Sequence, residues 1–254
     1  MTRRTAVRVL VGMFLVLVPL LLLIEGRRAA REVLAIGLIV GVFLVLGALR
    51  RRPRRDALRA EAKRLGLRFS ATDPFAILAE PFELVRGTRS SDAALDHVLW
   101  GTGNDLPCRL FDYAYTVSEH HERRLSCALA ALPGGWPTLV IRPESALTRL
   151  AGHIGLPGVE LESEDFNRAF DVRSEDPRFA NALVDARMMA WLLELGDGWG
   201  FEIRGTWILG YRDQVQPWEL DGVLETVSAF IDRIPRAVGG LFPEALPDRP
   251  DVRA

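Results

Sequence analysis

The sequence predicts an α+β fold, in which an N-terminal transmembrane helical hairpin precedes a mostly antiparallel sheet covered by two or three amphipathic helices. Three observations carry that prediction. Two long apolar runs, Val9–Ile24 and Val33–Leu49, lie close together near the start and are flanked by arginines. Short alternating segments separated by Gly, Pro and Asp clusters fill residues 96–142, the signature of antiparallel strands. Two later stretches repeat apolar residues at helical spacing and flank a further pair of strand-like segments. The implied organisation is a hairpin with a polybasic flank over 1–55, an α+β domain over 56–242 and a flexible tail over 243–254.

The first run is interrupted only by Gly12 and Pro19, and the second carries Gly37, Gly41 and Gly47. Each is near the lower limit of the ~17–25 residues that cross a ~30 Å hydrocarbon core. A soluble helix needs one apolar face, not all of them, so two spans at about 9–24 and 33–49 are the better reading. Glu25–Glu32 is too short a link for anything but a tight hairpin, with both outer ends on one side. Arg3, Arg4 and Arg8 precede it, and Arg50, Arg51, Arg52, Arg54 and Arg55 follow it, outnumbering the loop's Arg27, Arg28 and Arg31. The positive-inside rule then puts both termini and the folded domain in the cytoplasm, on the inner face of a multi-pass cell-membrane protein. A cleaved signal peptide is the competing reading, but Glu25-Gly-Arg-Arg is a poor cleavage site. The Arg50–Arg55 cluster could meet anionic lipid head groups or simply fix topology. Gly37-Leu-Ile-Val-Gly41 allows close helix approach, either within the hairpin or between two copies.

Charge narrows the function classes. Subtracting the 11 arginines and two glutamates of residues 1–55 from totals of 32 basic and 33 acidic residues leaves 21 basic and 31 acidic. An acidic domain argues against nucleic-acid binding, whose affinity comes from neutralising phosphates. Lys63 is the only lysine, so lysine-based covalent chemistry has one improbable candidate. Cys108 and Cys127 lack C-x-x-C or metal spacing and are expected to be reduced and unpaired.

Along the domain, Asp56–Leu65 reads as a helix stopped by Gly66. Residues 70–95 are poorly defined by the sequence, with Pro74 and Pro81 as breakers and Phe82–Val85 as a candidate strand. Strands are expected at 96–100, 108–117, 124–132 and 138–142, with turns at Gly101–Asp105, Ser118–Arg123 and Pro133–Pro137. A turn centred near His121 sets Cys127 opposite Tyr115. Gly158–Glu162 reads as a strand and Phe166–Phe170 as a turn or short strand. Asp176 before Pro177 opens a helix whose face runs from Ala180 to Leu195, and Gly196 ends it. Trp199–Arg204 and Trp207–Tyr211 form a hairpin across Gly205-Thr206, suited to a II′ turn. The last helix opens near Pro217 and keeps its apolar spacing from Leu220 to Ile234.

Chemistry-bearing residues are few. Glu160 and Glu162 would share a strand face near Asp165, which suits an acid–base pair, a cation site or a solvated edge. Asp96, His97 and a distant serine assemble a triad on paper, without a G-x-S-x-G elbow. The catalytic candidates are therefore Glu160, Glu162, Asp165 and His97. His120-His121-Glu122 departs from H-E-x-x-H, and adjacent strand residues point apart, so no metal or cofactor is expected. Trp136, Trp191, Trp199, Trp207 and Trp218 either wall a ligand pocket or pack a core.

Glu162-Ser-Glu-Asp-Phe-Asn-Arg-Ala-Phe-Asp-Val-Arg-Ser-Glu-Asp-Pro-Arg-Phe-Ala, Arg187-Met-Met-Ala-Trp-Leu-Leu and the upstream Phe111-Asp-Tyr-Ala-Tyr resemble a conserved-hypothetical, mainly actinobacterial family. The resemblance implies a two-span anchor with a cytoplasmic domain of unknown function, and no catalytic residues. The expected function is a membrane-anchored, non-enzymatic interaction or sensory module. Its expected partners are the bilayer and a membrane protein, or a second copy through the spans. An enzyme of unrecognised type, or a small-molecule-binding domain at the inner membrane face, is the alternative.

Overall fold

The computed structural model describes residues 54–87, 93–118, 121–144 and 155–243. The expected spans, the Gly37–Gly41 pair, Arg50, Arg51, Arg52 and the tail from 244 onward lie outside them. No helix among the described residues is long and apolar enough to cross a membrane. Contacts divide the chain into Met1–Asp56 and Ala57–Ala254, and the fold below is that of the second unit.

Helix α1 (54–64) ends as the sequence predicts. Gly66 has φ 70°, and the Leu67 N–H reaches Ala62 O while the Gly66 N–H reaches Lys63 O, a Schellman closure that only a left-handed residue permits cheaply. Strand β1 (Arg68–Ser70) follows, then a single 3-10 turn at Ile77–Ala79 and the short helix α2 (Glu83–Gly87), which stands where a strand over Phe82–Val85 is expected. Next come β2 (Ala94–Gly103), β3 (Leu106–Ser118) and β4 (His121–Pro143). Helix α3 (Glu164–Ala169) leads into β5 (Phe170–Ser174), and α4 (Pro177–Leu183) and α5 (Ala186–Leu195) precede β6 (Trp199–Asp213). A 3-10 turn at Pro217–Glu219 opens α6 (Leu220–Arg233), and α7 (Arg236–Leu241) closes the described chain.

All strand pairs are antiparallel, in the order β1-β2-β3-β4-β5 with β6 also on β4. Strand β6 runs unbroken in the chain from Trp199 to Asp213 yet doubles back on itself. Thirteen residues of straight strand would separate Trp199 from Arg212 by roughly 40 Å, but the Arg212 guanidinium carbon lies 5.0 Å over the Trp199 ring. A Cβ placed on Gly200 would clash with the hydroxyl end of the Tyr211 ring. The fold-back is at Gly205, whose φ of 55° beside a Thr206 without positive φ has the sign pattern of the expected II′ turn.

Strand β4 clasps this hairpin. Its first limb, Leu125–Ala131, pairs with Trp207–Asp213, and its last limb, Leu139–Ile141, pairs with Phe201–Ile203. Between them β4 advances five residues, Ala131 to Trp136, while β6 goes back two, Trp207 to Gly205. The Pro133–Pro137 stretch, expected as a plain loop between two strands, is therefore the part of β4 that passes round the hairpin tip.

Several expectations need correction. The β2–β3 turn is tighter than Gly101–Asp105: Asn104 and Asp105, both with positive φ, form it alone. Ser118 pairs with His121, so Cys127 faces Phe111 and Tyr115 faces Arg123. The register moves by an even number of residues, which preserves the faces. Cys108 and Cys127 are free, buried and in cores on opposite sides of the sheet. Gly158–Glu162 is not a strand; only Gly158 bridges to Arg173. Phe166–Ala169, expected as a turn or short strand, belong to α3, started by Ser163, whose hydroxyl accepts the Phe166 N–H at 3.3 Å, while Phe170 opens β5. The helix expected from Pro177 to Leu195 is two, because Asp185 caps a new start by accepting the N–H groups of Arg187 and Met188.

The larger core lies on one face of the sheet, where α1 and α3–α7 cover Leu99, Leu110, Leu139, Phe201 and Ile208. The opposite face is covered by residues 73–87, the unassigned stretch, through Ile77, Phe82, Leu84 and Val85 against Phe111, Tyr113, Cys127 and Leu209.

Candidate functional site

A row of polar residues crosses the helix-covered face at one end of the sheet. The register aligns Asp96 with Asp112, Asp112 with Ser126 and Ser126 with Arg212, and the β6 fold-back adds Trp199 beside Arg212. Between Asp96 and Leu99, β2 carries one more residue than β3 does between Asp112 and Leu110. His97 absorbs this bulge with φ 60°. Its Nδ1 lies 3.5 Å from Asp112 Oδ2 without hydrogen-bond alignment, and its ring stacks on Phe69 at 6.3 Å.

The hydroxyl of Ser126, which is fully buried, donates to Asp112 Oδ1 at 3.5 Å and accepts the Val215 N–H at 3.2 Å. Histidine, carboxylate and serine thus meet, though with Asp112 rather than the expected Asp96. The order matters more than the inventory. Asp112 stands between hydroxyl and imidazole, whereas nucleophilic catalysis needs the imidazole on the hydroxyl. What the arrangement does is fasten the chain after β6 to the centre of the sheet.

Where that chain leaves the sheet, a groove of about 560 Å³ opens between the end of α5, the open end of the β6 hairpin and the start of α6. Leu195, Val215 and Val223 give it apolar walls, Trp199 and Trp218 aromatic ones, and Arg212, Glu219 and Asp221 charge. Trp218 is 65% exposed, unusual for so large an apolar ring. The 3-10 turn that presents it is held by a capping box between Gln216 and Glu219, with the Gln216 N–H on Glu219 Oε2 at 2.9 Å. Asp221 accepts from Arg64 Nη2 at 2.5 Å, and Arg64 also reaches Glu61, which ties α1 to the groove's edge. The two carboxylates hold the Arg64 guanidinium in its charged form.

A second buried ionisable group lies across the sheet. Glu202, 1% exposed, receives the Glu83 N–H on Oε1 at 2.6 Å and the Leu84 N–H on Oε2 at 3.1 Å. Those bonds favour the carboxylate, but burial outweighs them and pushes its pKa up to about 7, with Glu83 raising it further and Arg204 opposing. Burial likewise keeps the Tyr211 hydroxyl, near Glu202, protonated.

The sequence candidates do not assemble with either feature. Glu160, Glu162 and Asp165 are exposed around the buried Leu161, and Asp165 pairs with Arg168 at 3.2 Å. They lie by α3, while His97 is on β2 toward the other edge of the sheet. Among the described residues, no three of His, Cys, Asp and Glu cluster to hold a metal ion. Of the five tryptophans expected to wall a pocket or pack a core, out of six in the chain, Trp199 and Trp218 line the groove. Trp136 packs on Phe179, Trp191 on Phe201 and Phe230, and Trp207 under Arg109. The sequence did carry one signal for the groove: Trp218 falls outside the apolar spacing that begins at Leu220.

No known protein family matches the chain, and no curated protein does. The fold is similar to that in the crystal structure of the mycobacterial trehalose monomycolate transport factor A, TtfA. The TM-score is 0.55 at 14% identity, over 72% of this chain and 97% of that one. At that identity the likeness concerns the fold alone.

Proposed function

We propose that this chain is a membrane-anchored, non-enzymatic interaction module whose folded domain works at the cytoplasmic face of the cell membrane. The observation that carries it is the groove with its exposed Trp218, a feature of binding surfaces rather than of packing. The fold shared with a protein named as a transport factor is compatible with an interaction module and points to no more specific role. The two apolar runs and their arginine flanks support the anchor and its orientation. A small-molecule-binding domain is the second reading, favoured by the indole walls of the groove. An enzyme using His97, Glu160, Glu162 or Asp165 draws less support, since these groups are apart.

In-cell cross-linking of the full-length protein, followed by mass spectrometry, tests the module. A chain lacking residues 1–49 serves as control. Capture of a membrane protein that is lost with the anchor is expected. Capture of nothing but the protein itself would overturn the reading and favour the small-molecule one.

A further inference from the structure

We propose that the groove between α5, the β6 hairpin and α6 docks a positively charged, cytoplasmic juxtamembrane segment of a partner membrane protein, with an apolar side chain of that segment seated against Trp218. The proposal rests on the interaction-module reading and names the surface and the chemistry of its partner.

Shape and charge point the same way. Leu195, Val215, Val223 and the two indoles offer an apolar trough of about 560 Å³, enough for one or two large side chains but too small for a helix or a domain face. Trp218 stands 65% exposed at its edge, on a capped turn that holds the ring without burying it. Such a ring loses little side-chain entropy on binding and gains a large contact, as binding hot spots do. Glu219 and Asp221 line the trough, Glu194 and Glu225 are exposed and next in the chain to the lining residues Leu195 and Thr226, and Asp197 is exposed on the segment between Leu195 and Trp199. Of the charged lining residues two are acidic, Glu219 and Asp221, and one is basic, Arg212, with Arg64 bound to Asp221 at the edge. Arg212 is stacked on Trp199, and Arg64 is paired with Glu61 and Asp221, so neither extends freely toward a partner.

The remaining field is negative, on a domain with 31 acidic and 21 basic residues outside the anchor segment. A protein tethered to the inner face of a membrane meets, above all, the short cytoplasmic loops and tails of other membrane proteins. Those are enriched in Lys and Arg by the rule that sets their topology. The anionic leaflet itself would repel the same rim.

The test places the photo-reactive amino acid p-benzoylphenylalanine at position 218 of the full-length chain in its own cell, and sequences the cross-linked peptide. The result expected is a peptide from a cytoplasmic loop or tail of a membrane protein, with net positive charge and an apolar residue at the cross-link. Separately, Trp218→Ala should reduce capture of that protein by the unmodified cross-linking protocol about tenfold. Glu194→Lys with Glu225→Lys should weaken it several-fold, with the melting temperature of each variant near that of the parent. Cross-links only to lipid, to a neutral or acidic peptide, or to a second copy of this chain overturn the proposal. An anchor-dependent partner captured equally well by Trp218→Ala overturns the groove while leaving the module standing. Failure to capture any partner by either route removes both.

Discussion

The two faces of the sheet are closed by different physics. On one, α1 and α3–α7 lay apolar stripes on the strands, so the contact is dispersed over many side chains such as Leu58, Phe179, Met188, Val227 and Phe230. On the other, residues 73–87 carry little regular structure and fewer apolar residues, and they are fastened by backbone N–H groups to the single carboxylate of Glu202. The first closure degrades gradually with each lost contact. The second hinges on one ionisable group. The groove belongs to the first face, where α6 meets the sheet, and its position depends on dispersed packing that no single proton can undo.

The largest expected effect tests the helical face. Phe230 is fully buried, 4.8 Å from Phe201 and 6.1 Å from Trp191 between ring centres. Phe230→Ala should cost about 3–5 kcal/mol in chemical denaturation. Phe82→Ala, on the strap formed by residues 73–87, should cost less, because that segment can settle into the space. An equal or greater loss at Phe82 would break the contrast between the faces.

Next comes the pH dependence of the strap. Glu202 titrates at about 7 when folded, above the 4.5 of the free side chain. Between these values the unfolded chain has lost the proton that the folded chain keeps. Its contribution to stability is therefore full below about pH 4.5, falls by about 1.4 kcal/mol per pH unit as the pH rises, and is flat above about 7. Glu202→Gln removes this dependence. The stability of the parent minus that of the variant should thus decline from pH 4.5 to 7, together with hydrogen-exchange protection of the Glu83 and Leu84 amides in the parent. A difference independent of pH would show that the N–H donors, not burial, set the charge of this group.

Two glycines sharpen the account of β6. A Cβ on Gly200 would meet the Tyr211 ring, and one on Gly210 would meet Val227 Cγ2 on α6. Each alanine substitution should destabilise by about 1–3 kcal/mol through overpacking. Gly200→Ala is the sharper probe. In a straight, exposed strand the change would be mild or favourable, so an unchanged melting temperature would contradict the fold-back at Gly205.

How legible these features were depends on the range of the interaction that sets them. The α6 face from Leu220 to Phe230 is written in 3.6-residue spacing, and the β6 hairpin in Gly205-Thr206, both local signals. The strap was illegible because its partner, Glu202, is 119 residues away from Glu83. The clasp of β4 round the hairpin was hidden for a similar reason: Pro133–Pro137 looks like any loop until β6 is inserted between the two limbs. The groove gathers Leu195, Arg212, Trp218 and Asp221 from separate elements, and only the misfit of Trp218 in its helical pattern hinted at it. Glu160, Glu162 and Asp165 attracted notice through local density of charge, which in the fold is a solvated surface around Leu161.

The smallest predicted effect concerns the break between α4 and α5, which local signals both suggested and obscured. Asp176 and Asp185 each accept an N–H two residues on, at 2.8 and 3.0 Å, and Asp185 accepts a further one from Met188 at 2.9 Å. The apolar positions Ala180, Leu183, Met188 and Leu192 keep one face through the break, so spacing alone reads as a single helix. A cap in the middle of that run frees the second helix to turn, and α5 ends with Leu195 on the groove. Asp176→Ala and Asp185→Ala should each cost about 1 kcal/mol, with Asp185→Ala the larger because it strands two donors rather than one. A gain in stability for Asp185→Ala, with rising helix content by circular dichroism, would mean that the chain prefers the continuous helix and that the sheet, not the cap, imposes the break.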